Sequence, residues 1–113
     1  MDIYVINLDK DVQRLHWMEQ QLSAHKLQFL RIAAVNGSQI DPQRDPYWSD
    51  PLRSHLGAAE IGCLLSHAYA WRLIAQADGE LALVLEDDIH VSDDFNARYY
   101  RLKMGLGYSS LFV

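Results

Sequence analysis

The stretch LALVLEDDI, residues 81–89, decides the expected fold. Its opening apolar run predicts a buried strand, because the run is short and aliphatic and follows the turn signal Asp78-Gly79. The acids at 86–88 then lie at the carboxyl end of that strand, the edge where open α/β sheets bind ligands. Because adjacent carboxylates repel one another, we expect a divalent cation to offset them. Mg²⁺ or Mn²⁺ prefers carboxylate oxygens and bridges to phosphate, so the stretch predicts a metal and phosphate site.

Strand-like and helix-like segments alternate along the rest of the chain. The pattern predicts a strand from Ile3 to Leu8, a helix from Val12 to about His25, a strand from Phe29 to Val35 and a helix from about Ala58 to Ala77. Asp9 or Asp11 is expected to cap the first helix, and Asn36-Gly37 to form the turn after the second strand. With the acidic strand third, this order predicts a parallel α/β sheet covered by helices.

The remaining segments are a loop, a helix face and a tail. Residues 39–56 contain three Asp-Pro dipeptides, each of which disfavours helix, so we expect a long loop there. Residues 95–104 favour a helix within an atypical tail, 95–113, whose last residues are strand-like. The buried face of the helix at 58–77 is expected to comprise Ile61, Leu64, Leu65, Ala68, either Trp71 or Leu73, and Ala75.

Composition bounds the class of protein. A chain of 113 residues, 50% apolar and 22% charged, fits one soluble globular domain over residues 1–113. A formal net charge of −5 argues against nucleic acid as a partner, since that would need a basic face. Cys63 is the only cysteine, which excludes an intrachain disulfide and fits a reducing compartment. Without a signal-peptide pattern or an apolar stretch of about 20 residues, we expect a cytoplasmic protein.

The acids and the second predicted helix supply candidate ligands. Along a strand alternate residues share a side, so Glu86 and Asp88 should point together, with Asp87 opposed unless the strand has already ended. Glu60, Cys63 and His67 fall at i, i+3 and i+7 and share a helix face. That face either looks toward the ligand cleft or packs beneath it, and a zinc site there is disfavoured because a fourth ligand is missing.

Three other residues carry narrower expectations. Asn7 and Arg14 flank the first strand-to-helix loop, on the same sheet edge as the acids, where they could contact a nucleotide base or phosphate. Arg14 as a surface charge of the helix is the alternative. The chain has no glycine-rich phosphate loop, so metal and side chains must hold any phosphates. Gly62 inside a helix suggests the close approach of a neighbouring backbone or a ligand.

These segments together resemble glycosyltransferase family 25, the lipooligosaccharide-type sugar transferases. The matching blocks are IYVINLD (3–9), the helix around Arg14, RIAAVNG (31–37), EIGCLLSH (60–67) with Ala70-Trp71, and VLEDDI (84–89). They stand in the family's order. The resemblance implies a GT-A-like (Rossmann-like) α/β fold, a mostly parallel sheet flanked by helices, truncated relative to the family. The acidic triplet would correspond to the family's version of the DxD metal motif.

The resemblance also implies a reaction. A sugar, typically galactose, would pass from a UDP-sugar donor to a lipooligosaccharide, LPS or other glycan or glycolipid acceptor, with inversion and with Mn²⁺ or Mg²⁺ as cofactor. Metal ligation would fall to Glu86 and Asp88. The residues expected to bind the donor are Asn7, Arg14, Glu60, His67 and Asp87. The general base is unassigned. Further expectations are peripheral association with the cytoplasmic face of the inner membrane and homo-oligomerisation.

Two other functions compete with an active transferase. The first is a truncated, non-catalytic remnant that binds a nucleotide sugar or oligomerises, because family members are substantially longer than this chain. The second is a phosphorylatable receiver module, which also binds Mg²⁺ at acids that follow an apolar strand. In a receiver the acid pair follows the first strand, whereas here the acids follow the third, so this function is disfavoured.

Overall fold

Around a three-stranded parallel sheet the described residues form one layered unit. The computed structural model describes residues 1–40, 57–77 and 81–105. Strands β1 (Asp2–Asn7), β2 (Leu30–Ala33) and β3 (Ala82–Glu86) lie in the order β2-β1-β3. Both pairings are parallel, and Val5 of the central strand stands beside Arg31 on one side and Leu85 on the other. The predicted α/β fold with a parallel sheet is therefore confirmed.

In the part of the chain that the structure describes, three helices and one short 3₁₀ turn flank the sheet. They are α1 (Val12–Ala24), the 3₁₀ turn Gly37–Gln39, α2 (Ala58–Gln76) and α3 (Phe95–Lys103). Asp11 occupies the N-cap position of α1 but makes no side-chain capping hydrogen bond, so only its position matches the prediction. Strand β2 is shorter than predicted. The turn signal Asp78-Gly79, most of the predicted loop (41–56) and the end of the tail (106–113) lie outside the described residues.

The two faces of the sheet carry separate apolar clusters because successive strand residues point to opposite sides. One cluster joins the strands to α1 and α3, and its buried members are Ile3, Val5, Met18, Leu22, Leu85 and Val91. The other joins the strands to α2 through Tyr4, Ile6, Ile32 and Ala70. Burial of each large aliphatic side chain contributes about 1.5–3 kcal/mol, so these clusters account for the stable layering of helices on the sheet.

The predicted buried face of α2 is partly wrong. Ile61 and Leu65 are buried as expected, and Leu73 packs against the cluster on that face of the sheet. Trp71 is 58% exposed and Leu64 is 38% exposed. The helix meets the sheet through Ala70, Leu73 and Ile74, which turns the Trp71 side chain away from it.

Among the described residues, no helix is both long and apolar enough to cross a membrane.

Helix α2 lies against the backbone that follows β2. A Cβ placed on Gly62 would stand 2.6 Å from the Val35 carbonyl oxygen and 2.7 Å from the Gly37 nitrogen. The Val35 N–H donates to the Ser66 hydroxyl at 2.8 Å, and that hydroxyl donates to the Gly62 carbonyl at 2.7 Å. Of the two explanations offered for Gly62, the structure supports a neighbouring backbone. This contact fixes the start of α2 at the carboxyl edge of the sheet.

Candidate functional site

A cleft of about 590 Å³ opens at the carboxyl ends of the strands. Its walls include Arg14 of α1, residues 34–38 after β2, Cys63 of α2 and the acids 86–88 at the carboxyl end of β3. Parallel strands place all of these segments at one edge, where α/β sheets bind ligands. The structure thus brings most of the sequence-predicted site to one cavity.

Asp87 is the buried acid of the triplet. Strand β3 ends at Glu86, so the strict alternation of a strand no longer applies at the next residue. The Asp87 residue is 8% exposed, and its Oδ2 accepts a hydrogen bond from Asn7 Nδ2 at 2.7 Å. Arg14 Nη1 lies 3.7 Å from its Oδ1. Burial of this carboxylate is tolerated because it has a short hydrogen bond and a cation beside it.

Asn7 connects the three strands at the cleft edge. Besides Asp87, its Nδ2 donates to the Asp11 carbonyl at 2.9 Å, and its Oδ1 accepts from Arg31 Nε at 3.0 Å. Arg31 also donates to the Asn7 carbonyl at 3.0 Å and pairs with Asp9 at 2.6 Å. The Asn7 side chain therefore connects β1 to β2, to the start of α1 and to Asp87 after β3. The sequence offered one signal for Arg31, a charged residue inside an apolar strand, but we predicted no role for it.

The Glu86 side chain contacts α2, whereas that of Asp87 contacts Asn7 and Arg14. The Cys63 thiol donates to its Oε1 at 3.2 Å, and His67 Nε2 lies 3.4 Å from the same oxygen. One ligand atom from each of these three residues lies within 4.8 Å of the others. The hydrogen bond to Glu86, with partial burial and the nearby negative charge, raises the pKa of the Cys63 thiol.

Asp88 and Glu60 differ in how they relate to the cleft. Asp88 is exposed and lines it. Glu60 is exposed in the first turn of α2 and does not belong to the described residues that line the cleft. The grouping of Glu60 with Cys63 and His67 is therefore replaced in the structure by one that contains Glu86. Cys63 and His67 come together as predicted, but the acid that meets them comes from β3 and is not Glu60.

The contact between Cys63 and Glu86 has a measurable consequence. In the presence of a chelator, iodoacetamide should alkylate Cys63 faster in the Glu86→Gln variant than in the unsubstituted protein. A raised thiol pKa lowers the thiolate fraction at any given pH, and removal of the carboxylate charge reverses that shift. The rate–pH curve should therefore move to lower pH. Asp2→Asn, at the opposite end of the sheet, is the control, and identical curves for all three proteins would contradict the assignment.

Comparison with known proteins assigns the chain to a family. The model of glycosyltransferase family 25, described as LPS biosynthesis protein, matches residues 1–105. The chain belongs to glycosyltransferase family 25. The acidic triplet, Asn7 and Arg14 all fall within the matched residues, as does α2 with Cys63 and His67.

Individual relatives are distant, and each is much longer than the chain. A glycosyltransferase 25 family member from Aedes aegypti is 35% identical over 105 residues, 85% of this chain and 17% of that protein. Procollagen galactosyltransferase 2 from Homo sapiens is 29% identical, over 89% of this chain and 18% of its own length. A Mus musculus protein named inactive glycosyltransferase 25 family member 3 is 28% identical, over 89% of this chain and 19% of its own length. The chain thus spans less than a fifth of these relatives, and no solved structure matches it significantly.

Proposed function

We propose that the chain supplies the donor-binding part of a glycosyltransferase that moves a sugar, galactose in the first instance, from a UDP-sugar to a glycan acceptor. The observation that carries this proposal is the cleft whose wall contains Arg14 and the acids 86–88, with Asn7 hydrogen-bonded to Asp87 at the same sheet edge. A diphosphate needs cationic and hydrogen-bonding groups around it, and such groups stand at this edge. Galactose is the first sugar to test because relatives include a procollagen galactosyltransferase.

Glu86 and Asp88 would hold the divalent cation. Both are exposed acids that line the cleft, and carboxylate oxygens suit Mn²⁺ or Mg²⁺. When bound, such a cation supplies Lewis-acid stabilisation of the charge on the departing diphosphate. Asp87 has a different task, because its buried carboxylate holds Asn7 and stands next to Arg14. It would orient the Arg14 guanidinium toward a donor phosphate.

The remaining predicted donor residues have unequal support. His67 lies beside Glu86 and would act on the donor by positioning that carboxylate. Glu60 stays a prediction without structural support, since it stands at the exposed start of α2. The inverting course, the cytoplasmic location, the inner-membrane contact and homo-oligomerisation also stay predictions. The acceptor is proposed as a glycan or glycolipid, in line with the LPS biosynthesis description of the family model.

A donor-binding protein without transferase activity is the second candidate. One observation favours it: a relative that is 28% identical over most of this chain is named inactive. The general base that an inverting transfer requires is unassigned. Binding of UDP without sugar transfer to any tested acceptor would identify this alternative, and turnover of a UDP-sugar would exclude it.

Calorimetric titration of UDP, with and without Mn²⁺, tests the donor site directly. We expect metal-dependent binding that weakens at least about tenfold in Asp88→Ala, because removal of one of two carboxylate ligands weakens the metal clamp. Asp2→Ala is the matched control, since it removes an acid from the amino end of the same sheet. Absence of UDP binding under every condition would contradict the donor site, and equal binding by Asp88→Ala would contradict the metal ligand.

A further inference from the structure

We propose that Cys63, His67 and Glu86 form a binding site for a thiophilic divalent cation, with Zn²⁺ as its representative. Cys63 and His67 are four residues apart on α2, so their side chains share one face of the helix. Glu86, the last residue of β3, meets that face. The site therefore combines a thiol, an imidazole and a carboxylate from two elements that are fixed against each other by the sheet.

The distances between the three ligand atoms fit tetrahedral coordination of one ion. With Zn–S near 2.3 Å and Zn–N and Zn–O near 2.0–2.1 Å, the edges of a tetrahedral site are about 3.3–3.6 Å long. Cys63 Sγ is 3.2 Å from Glu86 Oε1, and His67 Nε2 is 3.4 Å from the same oxygen. All three ligand atoms lie within 4.8 Å of one another. Small side-chain rotations would therefore bring them around one ion.

The chemistry of the donors selects the kind of metal. Thiolate and imidazole favour Zn²⁺ and other late first-row ions, whereas Mg²⁺ and Mn²⁺ prefer oxygen. Three protein ligands leave one coordination position, an arrangement found in zinc sites that accept an exogenous ligand. Cys63 and Glu86 both line the cleft, so that fourth position would face it. A phosphate or carboxylate that enters the cleft is the chemical class that could fill it.

The surroundings hold the ligands in place. One residue before His67, Ser66 is buried and bonded to both the Val35 N–H and the Gly62 carbonyl, which fixes this turn of α2. The His67 ring lies 6.2 Å from the Trp71 ring at an angle of 51°, a tilted aromatic contact on the same helix. Asp88 adds negative charge near Cys63. A cation would thus meet a negatively charged site beside a fixed turn of α2.

One consequence rests on the proposed function. Glu86 is both a proposed ligand of the donor-site cation and a ligand of this site. It cannot serve both ions fully, so Zn²⁺ should compete with Mn²⁺-dependent UDP binding. Direct metal binding by the chain does not depend on UDP. Failure of the donor proposal and failure of this one can therefore be told apart.

Titration of the full chain with Co²⁺, followed by displacement with Zn²⁺, tests the site. We expect one metal per chain and a thiolate-to-cobalt charge-transfer band, since Cys63 is the only cysteine. Cys63→Ser should abolish the band. Both Cys63→Ser and His67→Ala should weaken Zn²⁺ binding by at least about tenfold. His16→Ala is the matched control, because His16 also stands beside a carboxylate, that of Glu19 at 3.8 Å, and should leave binding unchanged.

Three results would overturn the site. They are the absence of a charge-transfer band, equal Zn²⁺ affinity in Cys63→Ser and the unsubstituted protein, and one metal per two chains, which would indicate bridging between copies. Circular dichroism of each variant controls for folding, and Cys63→Ser is a small change at an exposed position. Zn²⁺ binding that leaves Mn²⁺-dependent UDP binding intact would contradict the shared use of Glu86.

Discussion

Replacement of Gly37 by alanine should destabilise the domain by about 3 kcal/mol or more. A Cβ at this position would stand 1.5 Å from the Ala58 carbonyl oxygen and 2.5 Å from its carbon. Both atoms belong to the backbone at the start of α2, so no side-chain rotation can relieve the overlap. Overpacking typically costs 1–3 kcal/mol and occasionally more, and a backbone clash belongs at the upper end of that range.

Gly62→Ala should act in the same direction but less strongly. Its Cβ would approach the Val35 oxygen to 2.6 Å and the Gly37 nitrogen to 2.7 Å. Alanine gains up to about 1 kcal/mol over glycine inside a helix, which offsets part of the clash. We therefore expect stability to fall in the order unsubstituted protein, Gly62→Ala, Gly37→Ala. Either substitution should also displace α2 from the cleft and weaken UDP binding.

Urea unfolding followed by circular dichroism measures these differences. Gly57→Ala is the matched control, because the nearest atom to its Cβ is Glu60 Oε1 at 3.7 Å, an ordinary contact with a flexible side chain. As a helix N-cap, this position should lose less than about 1 kcal/mol. Unfolding midpoints for Gly37→Ala and Gly62→Ala equal to that of Gly57→Ala would show that α2 does not approach the β2 segment as described.

Local pattern was enough to predict the elements. Apolar runs with turn signals indicated β1 and β3, and the spacing of apolar residues indicated α1 and α2. These signals are local, because period and turn chemistry lie within a few residues of one another. The carboxyl-edge position of the acids then followed from the parallel order of strands. The cleft, with Arg14 and residues 86–88 in its wall, is the result.

Contacts between segments that are distant in the chain could not be predicted from the sequence. A helical wheel placed Cys63 and His67 on one face but could not tell that Glu86 would meet it instead of Glu60. The pairing is set by the position of α2 on the sheet, which depends on the Gly37 and Gly62 backbones. The exposure of Trp71 has the same origin, since a helix with apolar residues on several sides does not specify which side packs.

Asn7→Asp should destabilise the domain by roughly 3 kcal/mol at pH 7, a loss typical of a broken buried polar pair. The substitution replaces a donor with a carboxylate at the atom that lies 2.7 Å from Asp87 Oδ2 and 2.9 Å from the Asp11 carbonyl oxygen. Two carboxylates this close cannot both remain ionised, so the folded state would hold a proton between them. The contact with Arg31 Nε survives, because the other oxygen still accepts it.

The pH dependence and a second substitution separate this explanation from a general loss of packing. Because the folded Asn7→Asp protein binds a proton that the unfolded chain releases above about pH 4, its deficit should shrink as the pH falls from 7 toward 4. Adding Asp87→Asn restores a donor opposite the new carboxylate and should recover part of the lost stability at pH 7. Recovery stays partial because the hydrogen bond to the Asp11 carbonyl is still missing and Arg14 loses one of its two carboxylate partners, the one at 3.7 Å. Urea unfolding of the two single variants and the double variant at both pH values gives the coupling directly. Additive losses with no pH dependence would mean that Asn7 and Asp87 do not form the hydrogen bond on which the cleft is built.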